Sequence, residues 1–205
     1  MLTVLATGFG AFPGARHNPS AALMAALERR KAWFTGFGIK LETRVLPVLY
    51  AEIAPRLAKL AAEVEPDALL HFGLAGRRKM ISIETRACNR ASRLVPDTSG
   101  TTTPSFSLVR NGAAVVQARI PAAQILAALH RAGIDGNLSR DAGTYLCNAA
   151  LYHSATARQP PYVGFIHIPW PARHGGHPSF AEIVKAAEIA ILTIGGAARR
   201  ERIPA

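Results

Sequence analysis

Three residues in this 205-residue chain have the types needed to break an amide together: a cysteine, a histidine and a glutamate. Cys147 follows the glycine turn of Asp141-Ala142-Gly143-Thr144-Tyr145-Leu146 and precedes the apolar run Ala149–Tyr152. That places it at a helix N-terminus, where the macrodipole is positive and the first-turn backbone donors are free. Both features favour a thiolate and can stabilise an oxyanion. A thiol nucleophile needs a base. His167 sits near the end of the strand-like run Val163–Ile168, just before Pro169. Strand C-termini and the following helix N-termini share one edge of a parallel sheet, so His167 and Cys147 could meet there. Glu84 lies in the alternating run Ile81–Cys88, on a face shared with Ser82, Arg86 and Cys88, and could orient the imidazole. The resulting chemistry is acyl transfer. Plainer readings stay open: a buried free cysteine, and a strand glutamate serving a salt bridge.

The other six of the seven histidines fit that role less well. His17 and His130 read as surface residues, and His71 as a core histidine on an apolar strand. His153, six residues after Cys147, points away from it on a helix. His174 and His177 flank Gly175-Gly176, but two histidines alone do not make a metal site, and none is expected. Cys88 and Cys147 form neither a disulfide framework nor a zinc spacing, which points to a reducing, cytoplasmic compartment.

The elements that must position these residues alternate along the chain. Strands are expected at Leu2–Thr7, Lys40–Val48, Ala68–Phe72, Ile81–Cys88 and Tyr162–Ile168. Helices are expected from Asn18-Pro19-Ser20 through Leu27, over Ala51–Val64 and Pro121–Ala132, and over Ser179–Leu192 capped by Ser179. The stretch Leu94–Asn111, rich in Pro, Ser, Thr and Gly, reads as a long functional loop. The economical architecture is one α/β domain over residues 1–205, an α/β/α sandwich with a mostly parallel, mixed sheet flanked by helices.

Composition narrows the function classes. The formal net charge is +11, yet the cations come in ones and twos without interleaved aromatics, which argues against nucleic-acid binding. No apolar run reaches membrane-spanning length, and Leu2–Ala6 is too short for a signal h-region. The opening Gly8-Phe9-Gly10-Ala11-Phe12-Pro13 fits two glycines of a dinucleotide fingerprint. Proline takes the third position, and the next strand ends in Leu46-Pro47-Val48 without the acidic residue that would hold a ribose.

Several segments, in order, resemble the pyroglutamyl-peptidase I family, cysteine peptidases that remove an N-terminal pyroglutamate. T-G-F-G-A-F-P-G-A-R-H-N-P-S is similar to that family's T-G-F-x-P-F-G-G-x-x-x-N-P-S, and R-V-L-P-V-L-Y to its L-P-V strand end. H-F-G-L-A-G-R-R-K-M-I-S-I-E, A-G-T-Y-L-C-N and G-F-I-H-I-P resemble the segments bearing its glutamate, nucleophile and histidine. The resemblance implies Cys147 as nucleophile, His167 as base and Glu84 as its partner. It also implies substrate contacts at Phe9, Phe12, Leu74 and Tyr145, no cofactor, pyroglutamylated peptides as substrates and a homo-oligomer, dimer or tetramer.

Departures fall around the pocket. Gly10, Ala11 and Pro13-Gly14 replace an acidic residue, a proline and paired glycines. The family's A-R-I-P-D-N reads Arg93-Leu94-Val95-Pro96-Asp97-Thr98, which puts Leu94 in the arginine's place and Arg93 one residue away, facing the other way on an extended chain. Arg77 and Lys79 add charge beside Arg78, which matches a family arginine. These changes bear on substrate choice and rate. Two other functions compete: the same apparatus acting on a different small cyclic or acylated amide, and a non-catalytic basic nucleotide- or nucleic-acid-binding domain.

Overall fold

A computed structural model describes residues 1–103, 105–157, 160–172 and 177–201. In chain order the elements are β1 (Leu2–Phe9), α1 (Pro19–Glu28), α2 (Lys31–Thr35), β2 (Ile39–Leu46), α3 (Tyr50–Val64), β3 (Ala68–Leu74), β4 (Ile81–Glu84) and β5 (Arg86–Cys88). Then follow β6 (Val115–Gln117), α4 (Ala122–Arg131), β7 (Gly136–Ser139), α5 (Leu146–Thr156), β8 (Tyr162–Ile168) and α6 (Phe180–Glu201).

Six strands form one mixed sheet in the order β2-β1-β3-β8-β4-β7. All neighbours run parallel except β4 and β8, which are antiparallel. The two-residue side-chain period of the strands sorts their residues into two apolar layers. Val4, Leu70, Phe72, Ile83 and Ile166 pack with α1, α4 and α6 on one face. Leu5, Phe9, Leu69, Val163 and Phe165 pack with α3 and α5 on the other. By the same parity His71, Gly73, Glu84 and His167 belong to the α5 face. The sandwich expected from the alternating pattern is therefore present, with helices on both faces.

Local chemistry sets the boundaries. Asn18 caps α1 by accepting from Ser20 N (3.0 Å), ahead of Pro19 in the first turn. At α6, Ser179 Oγ accepts from Glu182 N (3.2 Å) while Glu182 Oε2 accepts from Ser179 N (2.8 Å), a reciprocal capping box. That helix runs beyond the expected Leu192 to Glu201, and Gly195 lets it pack closely, since a Cβ there would lie 2.6 Å from Ile39 Cδ1. The single strand expected over Ile81–Cys88 is in fact two. After Thr85 the chain leaves the main sheet, and β5 pairs with β6 instead. At the sheet edge, Val45 of β2 is 50% exposed, while Leu46 is buried.

Candidate active site

The site forms where β1, β3 and β8 end and α5 begins. Cys147 is the second residue of α5, whose N-cap Tyr145 makes no side-chain cap. Asn148 holds this helix end in place, accepting from Cys88 N (2.9 Å) and donating to the carbonyls of Cys88 and Arg90 (both 2.8 Å). Gly73 and His167 are register partners on β3 and β8, and a Cβ on Gly73 would lie 2.9 Å from Cys147 Sγ. The sulfur thus sits against the strand pair that carries the histidine, and only glycine leaves it room.

Ser82 faces His167 across the antiparallel pair, so Glu84 reaches the imidazole diagonally. His167 Nδ1 donates to Glu84 Oε1 (2.8 Å). A carboxylate only accepts, so this bond fixes the proton on Nδ1 and leaves Nε2 as the basic nitrogen. Arg78 Nη1 donates to the same oxygen (2.6 Å), and its Nη2 to Asp141 O (2.6 Å). Arg86 and Cys88, expected on one face with Glu84, lie on β5 outside the main sheet.

The charge states follow from burial. Desolvation pulls His167 below the usual imidazole value against the opposing pull of Glu84, so the ring is neutral at pH 7. Burial also raises Glu84, but the hydrogen bond and charge of His167, aided by Arg78, outweigh it and hold the carboxyl below its ordinary range. Cys147 contradicts the sequence expectation of a favoured thiolate. Burial, followed by the charge of Glu84, pushes the thiol up to about 12. Arg78 opposes this shift without cancelling it, so the resting sulfur is a neutral thiol near pH 7.

Cys147 and His167 open onto a cavity of about 310 Å³ whose walls include Phe9, Phe12, Leu74 and Tyr145. Phe9 packs on Phe165 (centroids 6.2 Å apart), which lies under His167 (4.7 Å); Phe12 meets Tyr145 (6.2 Å). The opening loop owes its shape to the residues that depart from the family pattern. Phe12 and Ala15 exchange backbone hydrogen bonds around Pro13-Gly14, with Gly14 at φ +95°, the positions a tight turn assigns to proline and glycine. Gly8 serves packing: a Cβ there would lie 2.4 Å from Ser20 O.

The remaining candidates separate cleanly from this site. His71 is fully buried between Thr7 Oγ1 (2.6 Å) and Ser154 Oγ (3.0 Å), and His17 and His130 are exposed. His153 lines a different, larger groove. His177 pairs with Glu182 (2.8 Å), whereas His174 lies outside the described residues. Among the described residues no three His, Cys, Asp or Glu side chains are grouped to hold a metal ion. Leu94 is 91% exposed, and Arg93 stacks on Phe106 (5.1 Å), so neither reaches the pocket wall. Sequence reasoning missed Asn18, Val48, Gly76, Ala142 and Leu146 in the wall, and the link between Arg78 and Glu84. Asn18 reads in the sequence as a helix cap within the N-P-S motif, and Arg78 as the match to a family arginine between two further cations, but neither reading places it at the site.

Comparison with known proteins shows the family and the fold. The family model described as pyroglutamyl peptidase matches residues 2–196. The chain belongs to the pyroglutamyl peptidase family. It is 35% identical over 178 residues to the pyrrolidone-carboxylate peptidase of Pyrococcus furiosus, covering 82% of this chain and 81% of that one. The Escherichia fergusonii relative of the same name is 33% identical over 202 residues, covering 94% and 92%. Among solved structures, pyrrolidone carboxyl peptidase from Thermus thermophilus superposes with a TM-score of 0.83 at 33% identity, covering 93% of this chain and 99% of that one. The P. furiosus enzyme gives 0.87 at 29% identity, covering 96% and 100%. This family member thus shares the mixed α/β architecture along nearly its whole described length.

Proposed function

We propose that this pyroglutamyl peptidase family member is a cysteine peptidase that hydrolyses the amide after an N-terminal pyroglutamyl residue. One observation carries the reading: a thiol and a carboxylate-oriented imidazole open onto one small cavity walled by aromatic and aliphatic side chains. A pyroglutamyl ring is flat and uncharged, and suits such walls. Free glutamate would strand its charges there.

In the proposed mechanism Cys147 rests as a thiol and His167 as a neutral base. On substrate binding, Nε2 takes the thiol proton as the sulfur attacks the pyroglutamyl carbonyl. Glu84 stabilises the imidazolium formed, and backbone N–H groups at the start of α5 face the developing oxyanion. His167 then protonates the leaving amine, giving a thioester. It next deprotonates the water that releases pyroglutamate and restores the thiol.

We also read residues 1–205 as one domain, acting in a reducing cytoplasm that suits the two free thiols. No helix among the described residues is long and apolar enough to cross a membrane. The exposed Leu94, Val95 and Phe106 of the long loop favour a dimer or tetramer that covers them. The competing nucleotide reading loses its basis in the opening loop, where Gly8 is occupied by helix packing.

Matched peptides beginning with pyroglutamate, glutamine, glutamate or proline test the proposal by mass spectrometry. Only the first should lose its N-terminal residue. Equal cleavage of the proline or glutamine peptide would contradict the lactam reading.

A further inference from the structure

Arg78 lies outside the three groups that perform the proposed chemistry, yet it touches their framework at two points. Its Nη1 donates to Glu84 Oε1 (2.6 Å), the oxygen that also accepts from His167 Nδ1 (2.8 Å). Its Nη2 donates to Asp141 O (2.6 Å) and to Ser139 Oγ (3.3 Å). Asp141 opens the six-residue lead-in to Cys147, two residues after β7 ends at Ser139. One planar guanidinium therefore spans the turn after β3, the carboxylate on β4 and the loop that delivers the nucleophile. The Glu84 side chain is fully buried, while that of Arg78 is 27% exposed.

We propose that Arg78 is a positioning residue: it clamps the Glu84–His167 pair to the loop that delivers Cys147, and its charge competes with the imidazole for one carboxylate oxygen. The inference rests on the peptidase reading above. Two donors on one oxygen divide its negative charge, so Glu84 stabilises an imidazolium less than it would if bound to His167 alone. The charged or titratable groups facing His167 are Glu84 from β4, Arg78 from the turn before it, Asp141 from the loop after β7 and Cys147 from α5. Glu84 and Asp141 favour the protonated ring, and Arg78 opposes it. Arg78 also favours the Cys147 thiolate, against burial and Glu84. Its neighbours Arg77 and Lys79 are exposed and make no ion pair among the described residues.

The role separates into geometry and charge. Arg78→Lys keeps the charge, but a single ammonium cannot reproduce the two-armed fork. Arg78→Met removes both. With a pyroglutamyl-aminocoumarin reporter, Arg78→Met is expected to lose about 10²-fold in kcat/KM, the scale of a small misplacement of reacting groups. The acid limb of its pH profile should move to higher pH, because His167 then holds its proton more firmly. Arg78→Lys should lose less and keep the limb of the wild type, and Arg77→Gln should match the wild type in both. Added guanidinium should restore part of the Arg78→Met rate.

Iodoacetamide alkylation of Cys147 gives a readout without substrate, and it should be slower in Arg78→Met than in Arg78→Lys at every pH from 6 to 9. A wild-type limb position in folded Arg78→Met, or equal alkylation of the two variants, would overturn the charge role. Full wild-type kcat/KM in Arg78→Lys would overturn the clamp, and that variant decides if Arg78→Met does not fold. If the wild type leaves the reporter intact, the peptidase reading fails, while the alkylation comparison still tests Arg78.

Discussion

Replacing Gly73 with alanine puts one methyl group into the tightest contact of the site. The new Cβ would lie 2.6 Å from Phe165 Cζ and 2.9 Å from Cys147 Sγ, both closer than real Cβ contacts. Neither neighbour yields freely. Phe165 is fully buried between Phe9 and His167, and Cys147 is fixed by its helix and by Asn148. Overpacking of this kind costs about 1–3 kcal/mol. For a chain of this length that corresponds to a fall in Tm of about 2–12 °C. The catalytic loss should be larger than the stability loss suggests, because moving the sulfur by about 1 Å costs about 10²-fold in rate. The assay pairs thermal unfolding with kcat/KM on the pyroglutamyl reporter and with the alkylation rate of Cys147. Gly73→Ala with wild-type Tm, kcat/KM and alkylation would refute the claim that the sulfur is seated against the β3–β8 strand pair.

Glu84→Gln should lower kcat by about 10²–10⁴-fold, the range for loss of a general-base arrangement, with little change in KM. The acid limb of wild-type kcat/KM should have its midpoint below 6.5, because burial depresses His167; a midpoint above 6.5 would contradict that. Cys147 alkylation should keep accelerating above pH 9, the ordinary thiol value, since burial raises this thiol; a plateau near 9 would contradict its desolvation. His71, held neutral by burial with its value lowered to about 3, makes the fold acid-sensitive. The unfolded chain binds this proton below pH 6.5 and the folded one does not, so stability falls from pH 6.5 towards 3, by at most about 1.4 kcal/mol per pH unit. Urea unfolding at several pH values should show this slope, and His71→Gln should flatten it.

Much of this is legible in the sequence because it rests on local patterns. Strand parity puts Glu84 and His167 on definite faces, and the glycine turn before Cys147 announces the helix start. Phe9 and Phe12 stand out because a phosphate loop has no use for them. What escapes depends on tertiary placement. Alternation alone cannot show that Ile81–Cys88 changes sheets after Thr85, since both halves keep the same period. The continuation of α6 past Leu192 is not legible locally either, because the close approach of Ile39 to Gly195 is a tertiary property. The Cys147 thiol is misjudged for a similar reason: the helix terminus is visible in sequence, whereas the seating of the sulfur against Gly73 of β3 arises only when distant elements converge. Arg78 gives no local sign of reaching both Glu84 and Asp141.

The central claim is that Cys147 attacks a pyroglutamyl carbonyl with His167 as its base. Release of aminocoumarin from the pyroglutamyl reporter, measured under reducing conditions for the wild type, Cys147→Ser and His167→Ala, tests it most directly. Release by the wild type alone is the predicted result. Release by Cys147→Ser at the wild-type rate, or none from a wild type whose Cys147 still alkylates, would contradict it.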